Sequence, residues 1–177
     1  MNKEQISAIK TCVTNKIALL TGPPGTGKST ITEAVIEWYN KTAKKSKREY
    51  NISLQAPTGK ALKGLMDKCE NIRDPHICGT LHKCLLNTFI NIRAQNNNPD
   101  NNPEKNKYPN HIHKIIIDEA SMIDIFMFKK LIYWCDYFKC GLILCGDIDQ
   151  LPPVGKGRPF ECIIDSQIFN TVYLTEI

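Results

Sequence analysis

The chain has 177 residues, 42% of them hydrophobic, with a formal net charge of +5. That size suits one domain with a sizeable core, and no apolar run approaches the length needed to cross a membrane. The mild positive charge permits a polyanionic partner without demanding one.

In chain order, Ile17, Ala18, Leu19 and Leu20 read as a short buried strand. Ile31, Ala34, Val35 and Trp38 then recur at the spacing of one helix face. Between them, Gly22, Pro23, Pro24, Gly25, Thr26, Gly27, Lys28, Ser29 and Thr30 spell the phosphate-loop pattern G-x-x-x-x-G-K-[ST] and its following residue. The chemistry needs that spelling. Glycines let backbone N–H groups close around phosphate oxygens, and the helix N-terminus adds partial positive charge. The pattern places Lys28 at the β- and γ-phosphates and the Ser29 hydroxyl on Mg²⁺. A nucleoside triphosphate such as ATP, with Mg²⁺, is the expected ligand.

After the first helix comes a basic run, Lys41, Lys44, Lys45, Lys47 and Arg48, read as a solvated helix end. Further apolar runs follow at Ile52–Ala56, Lys114–Ile117, Leu142–Cys145 and Thr171–Leu174. Short apolar strands separated by helices predict an α/β fold, a mainly parallel sheet covered on both faces. In such sheets ligands bind beyond the carboxyl ends of the strands. The first four runs end in "TGPPGTGKST", "PTGKA", "DEAS" and "GDIDQLPP". In "IIIDEAS", Asp118 is suited to hold Mg²⁺ opposite Ser29, and Glu119 to polarise a water for attack on the γ-phosphate. Gln150, after the fourth run, is suited to sense that phosphate.

Residues 94–110 are rich in Asn, Pro and Lys and nearly devoid of apolar side chains. They read as an excursion from the sheet, either a biased-composition insertion or a functional one. Eight cysteines form no C-x-x-C pair, and the polar opening "MNKEQ" resembles no leader, so free thiols in a reducing, intracellular compartment are expected. Cys69, His76, Cys78 and His82 match no zinc spacing, and no zinc is expected.

Together, "GPPGTGKST", "APTGKAL", "GTLHKCL", "IIIDEASMID" and "GDIDQLPPVGKG" resemble, in order, the motifs of the first RecA-like domain of superfamily 1 DNA helicases. The closest likeness is to the RecD-like group, which includes Dda-type enzymes. The resemblance runs from "NKEQISAI" to "LTE", and "GDIDQLPPVG" is its most specific part. It implies that Gln5 reads adenine, Lys28, Glu119 and Gln150 are catalytic, and Ser29 and Asp118 hold Mg²⁺. It implies further that Thr58, Lys60, Thr80 and His82 line a single-stranded DNA track. Pro152, Pro153 and Val154 would then link that track to the nucleotide. Residues 87–112 occupy the slot of a strand-separating pin, with Phe89 and Tyr108 as its aromatics. Motion along DNA in the 5′-to-3′ direction would require a second RecA-like domain supplying arginines. The chain stops at "YLTEI", where that crossing is expected, as an N-terminal motor half cut from a longer polypeptide or a remnant of one. An RNA helicase of the same superfamily and a non-catalytic, nucleotide-dependent nucleic-acid-binding module are the alternatives.

Overall fold

The structure, a computed structural model, describes residues 1–47, 49–68, 77–86 and 112–175. Of the pin slot at 87–112, all but Ile112 lies outside the described residues, Phe89 and Tyr108 included, as do Cys69 and His76.

Five of the strands stand where the apolar runs predict them: β1 (Ile17–Thr21), β2 (Ile52–Ala56), β4 (Lys114–Ile117), β5 (Gly141–Gly146) and β6 (Asn170–Tyr173). A sixth, β3 (Ile77–Thr80), was not expected, because "ICGT" is too short and too mixed to form an apolar run. It sits at the sheet edge against β2 alone. The order is β3-β2-β4-β5-β1-β6, and every pairing is parallel. The sheet is therefore α/β and parallel throughout, as a RecA-like domain requires.

Side-chain alternation along these strands divides two cores. Leu19, Ile115, Ile117, Leu142 and Leu144 face Trp134, Leu131, Phe160 and Ile164, carried by the helices Ile125–Phe138 and Pro159–Asp165. Ala18, Leu20, Leu54, Ile116, Ile143 and Cys145 face Ala8 and Cys12 of the helix Lys3–Thr14, and Ile31, Val35, Ile36 and Tyr39 of the helix Lys28–Ser46. Each large apolar side chain so buried contributes roughly 1.5–3 kcal/mol. Being covered on both faces is why the strands are nearly continuous in apolar residues.

One predicted face needs correction. Trp38 is 41% exposed, whereas its neighbour Tyr39 is 3% exposed. The buried stripe turns toward Tyr39 because its ring packs against Tyr50 and His113 at the far edge of the sheet, at 5.7 and 5.4 Å. Trp38 only meets the edge of that ring, at 5.0 Å.

Strand order decides what meets at the carboxyl edge. β4, β5 and β1 are adjacent, so the loops after them converge, while β2 and β3 lie together beyond β4. The first group carries Asp118, Gln150 and the phosphate loop; the second carries Thr58 and His82.

Candidate functional site

The phosphate loop leaves β1 and re-enters regular structure at Lys28, the first residue of the helix Lys28–Ser46. Gly27 caps that helix in the left-handed region, φ 87°, and offers no side-chain cap. The first helical N–H groups are thus left for something outside the chain. Within the loop, the Thr26 hydroxyl donates to Pro23 O at 2.9 Å. Lys28 Nζ donates to Gly22 O and, at 2.9 Å, to Pro23 O. Gly27 has a second reason to lack a side chain: a Cβ there would lie 2.5 Å from Gln5 Nε2. Gln5 therefore sits against the loop. Its Oε1 accepts from Asn2 N at 3.3 Å and its own N–H donates to Asn2 Oδ1 at 2.8 Å, a capping box that fixes the start of the first helix.

Asp118 and Glu119 follow β4. Asp118 N donates to Gln55 O at 2.9 Å, which extends the strand pairing by one residue. The chain then turns sharply. Glu119 adopts φ 51°, ψ 41°, a left-handed conformation rare outside glycine, and leads into a 3₁₀ turn, Ala120–Met122. Such a residue costs about 1 kcal/mol or more and persists where its surroundings enforce it. Here the turn carries Glu119 into the same cleft as Asp118 instead of leaving the two on opposite faces of an extended strand.

Gln150 reaches this cleft through a turn that the sequence reading passed over. Asp147, 3% exposed at the end of β5, accepts Asp149 N on Oδ1 at 3.0 Å and Gln150 Nε2 on Oδ2 at 3.3 Å. An aspartate that bonds its own backbone two residues on is a turn-former, and the D-x-D of "GDIDQ" was the available signal. Below the cleft, burial pushes the Cys145 thiol well up, and it packs 3.8 Å from Thr32 Oγ1 as a neutral group.

The result is a cleft of about 360 Å³ lined by Pro24, Gly25, Gly27, Lys28, Ser29, Thr30, Asp118, Glu119 and Gln150. A hydroxyl and a carboxylate form a hard-oxygen donor set that suits Mg²⁺, and uncapped helical N–H groups suit phosphate.

A second cleft, about 240 Å³, lies beside the first. Thr58, His82, Pro152, Pro153 and Val154 line it. Lys60 and Thr80 do not: Lys60 is exposed on the helix Gly59–Lys68, two residues from Thr58, and Thr80 ends β3 half-buried. Thr58 Oγ1 accepts Ala61 N at 3.1 Å, which leaves its own O–H to donate outward. Apolar members that sequence reasoning missed are Leu81, Met122, Ile123 and Met127. They come from two segments some forty residues apart, so no local pattern announces them.

Two segments run from one cleft to the other. One contributes Glu119 to the first and Met122 to Asp124 to the second; the other contributes Gln150 and then Pro152 to Gly155. They are tied together, since Ile125 N donates to Lys156 O at 2.9 Å. A Cβ on Gly155 would overlap the Asp124 carboxylate. Asp124 in turn accepts Met127 N at 2.8 Å as a helix cap. Arg158 lines neither cleft; its guanidinium meets Glu161 at 3.3 Å.

The chain matches the AAA-domain family over residues 5–156. It is 29% identical over 178 residues to an ATP-dependent RecD2 DNA helicase of Deinococcus radiodurans, covering 100% of this chain and 21% of that protein. RecBCD enzyme subunit RecD of Mycolicibacterium smegmatis is 30% identical over 171 residues, 92% of this chain and 30% of its own length. The RecD subunit of a Buchnera aphidicola strain is 36% identical over 169 residues, 85% of this chain and 25% of its own length. The chain thus spans less than a third of each of these relatives. Among solved structures, the Pif1 helicase from Candida albicans superposes with a TM-score of 0.64 at 22% identity, over 100% of this chain and 40% of that one.

Proposed function

Since this chain belongs to the AAA-domain family and resembles over its length the RecD-like helicases of superfamily 1, we propose that it is the first motor domain of an ATP-dependent DNA helicase. In this reading it binds ATP–Mg²⁺ in the first cleft and single-stranded DNA across the second, and it belongs to a motor that moves 5′ to 3′. The observation that carries the reading is the convergence of Lys28, Ser29, Asp118, Glu119 and Gln150 on one cleft.

Each residue has a defined task. Loop N–H groups and the uncapped helix terminus hold phosphate oxygens, and Lys28 exchanges the carbonyls of Gly22 and Pro23 for the β- and γ-phosphates. Ser29 and Asp118 hold Mg²⁺, which supplies charge neutralisation at the phosphates. Glu119 accepts a proton from, and orients, a water beyond the γ-phosphate. Gln150, held by Asp147, reports through Pro152–Gly155 whether that phosphate is present. Gln5 has both halves of an amide to offer a purine edge once its Oε1 leaves Asn2 N. Thr58 and His82 in the second cleft, with Lys60 and Thr80 outside its lining, address backbone phosphate, which reads no sequence. Hydrolysis coupled to movement needs a second RecA-like domain to bring an arginine to the transferring phosphoryl group.

Titration with a fluorescent ATP analogue tests the assignment. Lys28→Ala is expected to abolish binding, and Glu119→Gln to leave it intact, since its task is to orient water and not to hold the nucleotide. Unchanged affinity in the lysine variant would refute the site.

A further inference from the structure

At the opposite edge of the sheet, the starts of β4 and β5 and the turn before β1 enclose a cavity of about 320 Å³. With strands of four to six residues at about 3.3 Å each, it lies on the order of 15–20 Å from the phosphate loop. Lys16, His113, Lys114 and Lys139 line it, and no aspartate or glutamate among the described residues does.

Lys114 is the unusual member. It opens β4 and is 3% exposed. Its Nζ donates to Asn15 O at 2.7 Å and, weakly, to Lys16 O at 3.4 Å, a carbonyl that already accepts Leu142 N at 2.8 Å. At least one ammonium proton is thus left for the cavity. Room for this head group is provided by Gly141, where a Cβ would stand 2.8 Å from Nζ.

No carboxylate pairs with Lys114 among the described residues. The ionisable groups that face it among the described residues are the Cys12 and Cys140 thiols: burial pushes Cys12 up to about 12, so it is neutral, and Cys140, lowered chiefly by its bond with Cys135, donates its S–H to Cys135 O at 3.8 Å. Burial accordingly lowers the Lys114 pKa. A buried ammonium facing polar space without a counter-charge is costly, and an anion there would offset the cost.

We infer that this cavity is a binding site for a phosphate-class oxyanion, held by Lys114 and Lys16 with His113 at its side. Lys139 contributes less, being engaged with Asp136 at 2.6 Å. The phosphate could belong to a free polyphosphate or to a nucleic-acid backbone, and the two sources separate in one experiment.

The Lys28→Ala protein, whose phosphate loop no longer competes, is melted against pyrophosphate and separately against oligo-dT at constant ionic strength. A saturable rise in Tm with pyrophosphate is expected, its midpoint concentration rising at least tenfold in Lys28→Ala/Lys114→Met. A Lys114-dependent rise with oligo-dT alone would assign the phosphate to a nucleic-acid backbone. No saturable rise with either probe, or an equal rise in the double variant, overturns the site. Should Lys114→Met fail to fold, the exposed Lys16→Gln serves in its place, with a several-fold weakening expected and none refuting. Lys28→Ala affects only the other cleft, so failure of the ATP assignment leaves this result readable.

Discussion

Replacing Gly27 by alanine separates two physical effects that the structure superimposes. The first is backbone strain: at φ 87°, ψ 19°, an L-residue costs roughly 1–2 kcal/mol, partly offset by the 0.4–1 kcal/mol that alanine gains by restricting the unfolded chain. The second is contact, because the new Cβ would stand 2.5 Å from Gln5 Nε2. That amide ends a flexible side chain and can rotate away for about 0.5–1.5 kcal/mol, losing its 3.3 Å bond from Asn2 N. If Gln5 yields, the remaining strain (about 1 kcal/mol) and the rotation (about 1 kcal/mol) together set the net cost at about 2 kcal/mol, a fall in Tm of roughly 4–8 °C for a domain of this size. Thermal melts of wild type, Gly27→Ala, Gln5→Ala and the double variant test this. The cost of Gly27→Ala should fall to about 1 kcal/mol in the Gln5→Ala background, where backbone strain alone remains. If it vanishes there, the clash is the dominant effect and the reasoning fails; if Gly27→Ala raises Tm, the left-handed cap is wrong.

Other outcomes follow from the same geometry. Binding of oligo-dT should be weak, tolerant of base sequence and steeply salt-dependent, and Lys60→Ala should reduce the log–log salt slope by about 0.7 in a fluorescence-anisotropy series; a strong base preference would argue for base-edge readout. Residues 1–177 alone should hydrolyse ATP barely above background in a coupled assay, with little stimulation by oligo-dT. The reason is that Arg158, the one arginine among the described residues, is engaged with Glu161 and lines neither cleft, and a cross-site arginine is worth on the order of 10³–10⁵ in rate. Robust stimulated turnover would overturn the half-motor reading. Alkaline titration should isolate Lys114. Its folded pKa lies below the ordinary 10.5, so folding is favoured increasingly as pH rises between the two values. Cys12 and Tyr39, both pushed up to about 12 by burial, act in the opposite sense above pH 9–10. The wild-type curve alone would hide the lysine, but the difference in stability between wild type and Lys114→Met should change in wild type's favour across that window, and a flat difference would refute it.

Much of this molecule is written locally. The phosphate loop can be read from Gly22 to Thr30 because glycine spacing, a strand before and a helix after are all short-range requirements. Five strands are visible as apolar runs because both faces of a parallel sheet are covered, and Asp118 and Glu119 are visible because they end one of those runs. The family resemblance supplied Gln5, Thr58 and His82, residues that carry no chemical signature of their own.

Tertiary structure decided the rest, for reasons of distance in sequence. Nothing local states that β5 inserts between β4 and β1, yet that order brings Gln150 to Lys28 across more than a hundred residues and sets Thr58 beside Pro152. β3 was invisible because an edge strand of four residues is held by its ladder with β2 and not by its own composition. Trp38 and Tyr39 exchange their expected places because an interior aromatic is chosen by its neighbours, here Tyr50 and His113, and not by helical period alone. Lys114 reads as the polar first residue of a strand, and only the fold buries its ammonium against the carbonyls of Asn15 and Lys16, about a hundred residues earlier. Periodicity reports which side of an element is dry; which groups then face one another depends on how the strands are ordered, and that is settled by the packing of the whole chain.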